Sequence, residues 1–298
     1  MTDITKKSSG WETQFLGEEL TRAENNKDTA LFHVLPFGLE KTVSYGSGTE
    51  RGPAAIIEAS HQLERWLEGG EPCRHGIFTA PAIDCSGDIQ SCLQNLRQAV
   101  FTAASKNHIP IILGGEHSLT YGAIMGLRAV FDQPIGILQI DAHADLREAY
   151  QGEPHSHASV MHLLGQKNVP IYQLGVRALC QEEADRRKEF NIGYKDAPEL
   201  VRGQISKASL PEDFPEMVYV SFDLDGLDPA IMAATGTPVP GGLGFYQALD
   251  LLASAVEGRK IIGADIVELA SHPAHSHCDF TAALVSYAIM GLAADNRR

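Results

Sequence analysis

Gln139-Ile140-Asp141-Ala142-His143-Ala144-Asp145 follows directly on the apolar run Pro134-Ile135-Gly136-Ile137-Leu138, and this junction decides the fold class. An apolar run without polar alternation is the pattern of a strand buried on both faces of a parallel sheet. The D-x-H-x-D triplet therefore sits where such a strand gives way to a loop. Alternate residues of an extended chain point to one side. Asp141, His143 and Asp145 thus converge if the backbone stays extended. Two carboxylates and an imidazole crowded on one face repel one another or need a cation between them.

The same pattern recurs outward from this point. Further strands are expected at residues 31–37, 75–83, 109–113, 170–176, near 192, at 217–222 and at 261–267. Helices are expected between them, at residues 54–67, 89–104, up to about 130, at 157–165, 181–190, 198–207, 246–255 and 280–293. Strand-helix alternation along the whole length predicts an α/β fold with a mostly parallel sheet. Residues 1–29 are polar, with Trp11, Phe15 and Leu16 as isolated apolar anchors, and read as an N-terminal arm packing on the domain or on a neighbouring subunit. No linker, repeat or low-complexity tract divides residues 30–298, which read as a single catalytic domain. The glycine-rich stretch from Tyr45 to Pro53 lacks the G-K-[ST] ending of a P-loop, and Gly52 comes one residue late for G-x-G-x-x-G. It reads as a turn with Pro53 at a helix start, or as a loop rimming the active site.

Composition narrows the function. The chain has 298 residues, 44% of them hydrophobic, enough for a substantial core. Its net charge of −14, from 24 basic and 38 acidic residues, argues against a nucleic-acid partner and favours a cationic substrate or a metal. No uninterrupted apolar run reaches the roughly 18 residues of a membrane span. The polar N-terminus has no secretory apolar region. The cysteines (Cys73, Cys85, Cys92, Cys180 and Cys278) are odd in number and form no C-x-x-C, as expected of reduced thiols in a cytoplasmic protein.

The residues able to do chemistry all follow strands. His117 comes after Gly114-Gly115-Glu116, Asp223 and Asp225 after the 217–222 run, and Glu268 after the 261–267 run. In parallel α/β sheets ligands bind beyond the carboxyl ends of the strands. Carboxylates together with imidazole suit Mn²⁺, and also Zn²⁺, Ni²⁺ or Fe²⁺. Four aspartates balance the charge of two divalent ions, which favours a binuclear site. Two such ions roughly 3.5 Å apart make water nucleophilic near neutral pH. A single catalytic zinc usually needs three protein ligands, fewer than the candidates here.

Three segments carry a resemblance: Gly114-Gly115-Glu116-His117-Ser118, Asp141-Ala142-His143-Ala144-Asp145, and Ser221-Phe222-Asp223-Leu224-Asp225-Gly226-Leu227-Asp228-Pro229. They resemble, in the same order, the signature segments of the ureohydrolase family of arginases, agmatinases and related guanidino hydrolases. The resemblance implies a three-layer α/β/α arginase-like fold with a mainly parallel eight-stranded sheet. It implies two Mn²⁺ ions per subunit, one held by His117 and Asp145 and the other by His143 and Asp225, with Asp141 and Asp223 bridging. The implied reaction is hydrolysis of a guanidino group to an amine plus urea. The catalytic set it implies is Asp145, His157 and Glu268. His157 transfers a proton to the leaving amine, with His155 as a neighbour open to confusion. Glu268 grips the guanidinium as a charge-assisted bidentate partner, and Thr237 lines the substrate beside it. A homotrimer or homohexamer is also implied.

The choice of guanidino compound rests on fewer residues. Arginases usually carry an asparagine two residues beyond the triplet, where this chain has Arg147. They also carry two acids after a Gly-hydrophobic-Arg turn, where Gly175-Val176-Arg177 is followed by Ala178 and Cys180. Asp145-Leu146-Arg147-Glu148-Ala149-Tyr150 with Ser156-His157-Ala158-Ser159 looks like agmatinases, which implies agmatine cleaved to putrescine and urea. Guanidinobutyrate would need a cation at the pocket mouth, for which Arg51, Arg147 and Arg177 are candidates. Arginine, free guanidine and a formimino compound are less favoured alternatives. His272, His275 and His277 read as a loop near the site mouth, with a third metal site as the sharper alternative. A deacetylase-like metal hydrolase and a non-catalytic subunit compete with this reading. The Gly-Gly-Glu-His-Ser segment speaks against the first, and the complete ligand set against the second.

Overall fold

The apolar runs become the strands of one sheet in the computed structural model, which describes residues 13–295. Trp11 lies outside the described residues. The strands are β1 (Phe32–Phe37), β2 (Ile77–Thr79), β3 (Ile109–Gly114), β4 (Ile135–Ile140), β5 (Ile171–Leu174), β6 (Gly193–Lys195), β7 (Met217–Asp223) and β8 (Lys260–Val267). They line up in the order β2-β1-β3-β8-β7-β4-β5-β6, and every pairing is parallel.

Helices cover both faces, and the strands show why. Val34, Ile111, Leu138, Ile140, Val218 and Val220 enter one apolar core, while Leu35, Ile112, Ile137 and Tyr219 enter another. Adjacent residues of a strand point to opposite faces, so an unbroken apolar run feeds two cores at once. The first core is closed by α1 (Gly52–Ser60), α6 (Ala197–Arg202), α7 (Phe245–Ala255) and α8 (Ser276–Asp295). The second is closed by α2 (Ile89–Ala104), α3 (Leu119–Leu127) and α4 (Val160–Gly165). Helix α5 (Gln181–Glu189) is charged except at Gln181 and Ala184, and buries Glu183 and Arg187. The outcome is the expected three-layer α/β/α arrangement, with a sheet that is wholly parallel.

Several element ends depart from the sequence expectation. Helix α1 stops at Ser60 instead of running to 67, because the next residues tighten into three-residue turns and the His61 ring meets the Gln14 carbonyl at 2.9 Å. Strand β2 ends at Thr79, because the next ladder bond would need an N–H from Pro36 of β1, which has none. Helix α8 begins earlier than expected and takes in His277, while Pro273–His275 forms a short 3-10 turn. By length and composition residues 273–295 could cross a bilayer, but 61% of that apolar window is buried within this fold.

Residues 13–29 pack on the sheet and its helices. Phe15 and Leu16 are fully buried, and their backbone N–H groups donate to Thr79 Oγ1 (2.9 Å) and Ser60 Oγ (2.8 Å). Glu24 pairs with Arg65 at 2.7 Å. Behind this segment the rings of His33 and His108 stack at 3.8 Å. Burial, followed by the His108 charge, lowers the His33 pKa from 6.5 to about 4. The unfolded chain then binds a proton at His33 that the folded chain does not, so this site destabilises the fold as pH falls from about 6.5 to about 4. We expect His33→Phe, which keeps the stacked ring and removes the titration, to flatten the fall in urea midpoint between neutral and mildly acidic pH. An unchanged slope would show that His33 does not contribute to it.

Candidate metal centre and substrate cleft

Strands β3, β8, β7 and β4 are contiguous at the centre of the sheet, and their carboxyl ends deliver the predicted residues to one place. His117 follows β3, Asp141 and His143 follow β4, Asp223 ends β7, and Glu268 follows β8. After β4 the chain bends at Ala142, with the His143 N–H donating to Asp141 Oδ1 at 2.6 Å, and makes one more β-bridge, His143 with Ala178. It then turns: Asp145 has φ of 53°, so the simple alternation expected of the triplet ends before it. That turn carries the Asp145 carboxylate toward His117 instead of toward His143.

Two ligand groups result. One ligand atom each from His117, Asp141 and Asp145 lie within 4.8 Å of one another, as do those from Asp141, His143 and Asp225. Asp141 belongs to both groups. His117 Nδ1 lies 3.2, 2.9 and 3.3 Å from carboxylate oxygens of Asp141, Asp145 and Asp223. His143 Nδ1 lies 2.9 Å from Asp225. Although surrounded, the buried His117 Nδ1 has no hydrogen-bond partner of acceptable geometry. Ligand atoms around one first-row cation at about 2.0–2.2 Å stand about 3–3.5 Å apart without pointing at each other. That is the arrangement found, and the donor set of carboxylate oxygen and imidazole nitrogen suits Mn²⁺ and its neighbours. The residues therefore fit a pair of divalent cations sharing Asp141. Among the described residues, His272, His275 and His277 join no such group. Their rings stand 5.8 and 5.9 Å apart in sequence order, and they do not line the cleft.

Electrostatics agree. Burial and the neighbouring Asp141 charge push Asp145 up to about 7. Burial, then Asp225 and Asp141, likewise raises Asp223 well above the usual carboxylate range. Burial works against protonation of His143, but Asp141 and Asp225 prevail and raise it to about 12. Burial likewise opposes protonation of His117, and Asp141, Asp145 and Asp223 raise it well above the ordinary imidazole value. Without cations the chain answers crowded carboxylates by binding protons, and divalent cations would take their place.

A row of polar side chains runs across the sheet beneath these ligands. Gln173 of β5 is level with Gln139 of β4, Gln139 with Ser221 of β7, and Ser221 with Asp265 of β8. The last pairing depends on a bulge, since Val218 faces Ile261 and Tyr219 faces Gly263, leaving Ile262 as an extra residue. All four polar residues are fully buried. Asp141 and Asp223 lie two residues beyond Gln139 and Ser221, hence on the same face. Arg187 Nε donates to Gln173 Oε1 (2.7 Å), Gln173 Nε2 to Gln139 Oε1 (2.7 Å), and Gln139 Nε2 to Asp141 Oδ2 (2.6 Å). Each bond fixes the orientation of the next amide, so a donor faces Asp141. On the other side, Ser221 Oγ donates to Asp265 Oδ1 at 2.8 Å, leaving its oxygen to accept from His117 Nε2 at 2.8 Å. The His117 proton then sits on Nε2 and the Nδ1 lone pair faces the carboxylates, as a metal ligand requires.

A cleft of about 430 Å³ opens over the ligands. Glu268, His157 and Thr237 lie on its wall, as do Arg147, Ala178, Cys180 and Glu183. Glu268 has φ of 66°, a strained conformation for glutamate. One carboxylate oxygen, Oε1, accepts the His117 backbone N–H at 2.7 Å. Burial, then nearby Glu116 and Asp225, pushes Glu268 up to about 8 against that hydrogen bond, as for an acid lacking a cationic partner. The His157 ring packs edge-on to Tyr150 at 5.6 Å, while the His155 ring packs on Tyr121 instead. Burial, followed by the charges of His117 and His143, lowers the His157 pKa to about 4. Of the three arginine candidates, Arg177 is absorbed by the carbonyls of Val239, Asp225, Gly175, Gly226 and Leu227. Arg51 pairs loosely with Glu50 and does not line the cleft. Only Arg147 does, lying 5.5 Å over the Tyr150 ring.

Comparison with known proteins follows the same lines. The Arginase family model matches residues 30–293. An N(1)-aminopropylagmatine ureohydrolase from Synechocystis sp. is 33% identical over 281 residues, covering 89% of this chain and 90% of that protein. An agmatinase from Pyrococcus horikoshii is 31% identical over 264 residues, covering 87% and 90%. Among solved structures, the agmatine ureohydrolase of Thermoplasma volcanium superposes with a TM-score of 0.78 at 25% identity, covering 91% of this chain and 92% of that one.

Proposed function

The chain belongs to the arginase family, a hydrolase of C–N bonds in linear amidines, and on that premise we propose that it cleaves agmatine to putrescine and urea with two Mn²⁺ ions. The observation that carries this reading is the pair of ligand groups sharing Asp141 beside Glu268 at one cleft. His117, Asp141, Asp145, His143, Asp223 and Asp225 would hold the metal pair, which when bound supplies water activated for attack on the guanidinium carbon. Glu268 receives the guanidinium as a charge-assisted partner and orients its carbon over the ligands. His157 accepts a proton at its ring and passes it to the leaving amine nitrogen as the C–N bond breaks. Thr237, which also lines the cleft, confines the substrate.

The substrate tail is read at the cleft mouth. Ala178 and Cys180 stand where arginases carry acids, so nothing there holds an amino-acid head. Once the four aspartates are neutralised by metal and Glu268 by guanidinium, Glu183 and Arg147 are the charges left on the wall. Glu183 favours an ammonium tail, as in agmatine or its N(1)-aminopropyl derivative, the substrate named for the Synechocystis relative. Arg147 has no ion pair among the described residues and favours a second reading, a guanidino acid such as guanidinobutyrate. We further propose a homotrimer or homohexamer, and a cytoplasmic location in keeping with five free cysteines.

Urea release by the Mn²⁺-loaded chain, measured on agmatine, N(1)-aminopropylagmatine, guanidinobutyrate, arginine and guanidine, tests the assignment. We expect kcat/KM for a cationic-tailed substrate to exceed that for arginine by about a hundredfold, near 3 kcal/mol of discrimination. Turnover of arginine alone would overturn it. Turnover of guanidinobutyrate alone would transfer the tail to Arg147.

A further inference from the structure

We infer that Thr42 and Glu116 are positioning residues that set the tautomer of His157, leaving its Nε2 as the nitrogen that carries the proton to the leaving group; the inference rests on the proton-transfer role given to His157 above. Thr42 Oγ1 lies 2.9 Å from Glu116 Oε1, to which it donates. The same oxygen lies 3.0 Å from the His157 backbone nitrogen and 3.1 Å from His157 Nδ1. A threonine hydroxyl has one proton and two lone pairs. With its proton committed to a carboxylate, the oxygen can only accept. Its two lone pairs then take the N–H and the Nδ1–H of His157, which uses the full capacity of the group. In the neutral ring this leaves Nε2 unprotonated.

Glu116 is held as firmly as the ring it controls. It is fully buried. Oε2 accepts the backbone N–H groups of Lys41 and Thr42, each at 2.6 Å, and Oε1 also accepts Ser118 Oγ at 2.6 Å. The neighbouring Gly115 makes this approach possible, because a Cβ there would lie 1.9 Å from the Leu39 carbonyl oxygen. The Glu116 backbone N–H donates to that same carbonyl at 2.8 Å. Two segments distant in sequence are thus pinned backbone to backbone.

The residues after Thr42, from Val43 to Gly46, rim the cleft. The start of this rim and the His157 ring are thus tied to the same carboxylate through Thr42. A rim displaced from Glu116 would release Nδ1 to either tautomer.

The test uses the full chain with Thr42→Val, which removes the hydroxyl at nearly constant volume, and Thr42→Ser, which restores it. We expect Thr42→Val to lower kcat about tenfold to a hundredfold, within the range for a lost orienting partner. KM should shift by no more than about twofold, the mark of an interaction used in the transition state. Metal content should not change, and Thr42→Ser should recover most of the rate. Heteronuclear NMR of the ring nitrogens reads the tautomer directly in the Zn²⁺-loaded chain, with His157 identified by loss of its signals in His157→Gln. The wild type should show Nδ1 protonated and Nε2 not, and Thr42→Val should show a mixture. An unprotonated Nδ1 in the wild type, or a Thr42→Val kcat within about twofold of wild type, would overturn the inference. If no guanidino substrate releases urea, the functional reading fails alone, and the NMR result still decides the tautomer.

Discussion

Asp141→Asn is expected to bind fewer than one metal ion per chain and to lose at least about a thousandfold in turnover, an increase of roughly 4 kcal/mol in the barrier. The size follows from its place in both ligand groups. Removing its charge weakens both cation positions at once, whereas loss of Asp145 or Asp225 touches one. Asparagine keeps nearly the same volume and can still meet the amide of Gln139, so the fold should survive. Elemental analysis of the purified variant, together with urea release, checks the pair of effects. Wild-type metal content with wild-type turnover would remove Asp141 from the shared position.

Glu268→Gln is expected to retain both metal ions yet lose about 30-fold to several thousandfold in kcat/KM, as when one member of a buried charged pair is removed. Its backbone φ of 66° and the hydrogen bond from His117 N hold the carboxylate ready for a cation. The glutamine amide oxygen can preserve that hydrogen bond, so the metal ligands should keep their places. What is lost is the negative charge facing the guanidinium. The measurement is the ratio of effects: kcat/KM falls while metal content does not. Metal loss in this variant would mean that Glu268 supports His117 more than it binds substrate.

Much of this was legible in the chain itself. Unbroken apolar runs such as Ile135 to Ile140 announce strands buried on both faces, and the structure shows each run split between two cores. The placement of Asp141, His143, Asp223 and Asp225 at strand ends was legible for the same reason. The turn at Asp145 was not, because a left-handed backbone at an aspartate leaves no pattern in neighbouring residues. The early end of α1 is hidden in the sequence because an apolar period continues to Leu67, while the end is set by contacts with residues far away in sequence. The histidines after Leu269 have the spacing of a loop, since a 3-10 turn and one early helical turn have no distinctive pattern.

The polar row beneath the ligands did leave a trace. Gln139, Gln173, Ser221 and Asp265 are each a lone polar residue inside an apolar strand, and two of them stand two places before a ligand. A buried polar group needs a partner, and here each finds part of its set in the same feature on a neighbouring strand and the rest in Arg187, His117 and Thr120. Their alignment, however, depends on the bulge at Ile262, which sequence alone does not disclose. Thr42 left no trace at all. It sits in a polar loop, and its importance arises only where Gly115 lets that loop reach Glu116.

Six side chains from three strand ends are proposed to hold two divalent cations through a shared Asp141. Anomalous scattering from crystals of the Mn²⁺-loaded chain, recorded at the manganese edge, tests it most directly. A pair of peaks is expected at the carboxyl ends of β3, β4 and β7, with Asp141 contacting both. A single peak there, or manganese bound only elsewhere, would contradict it.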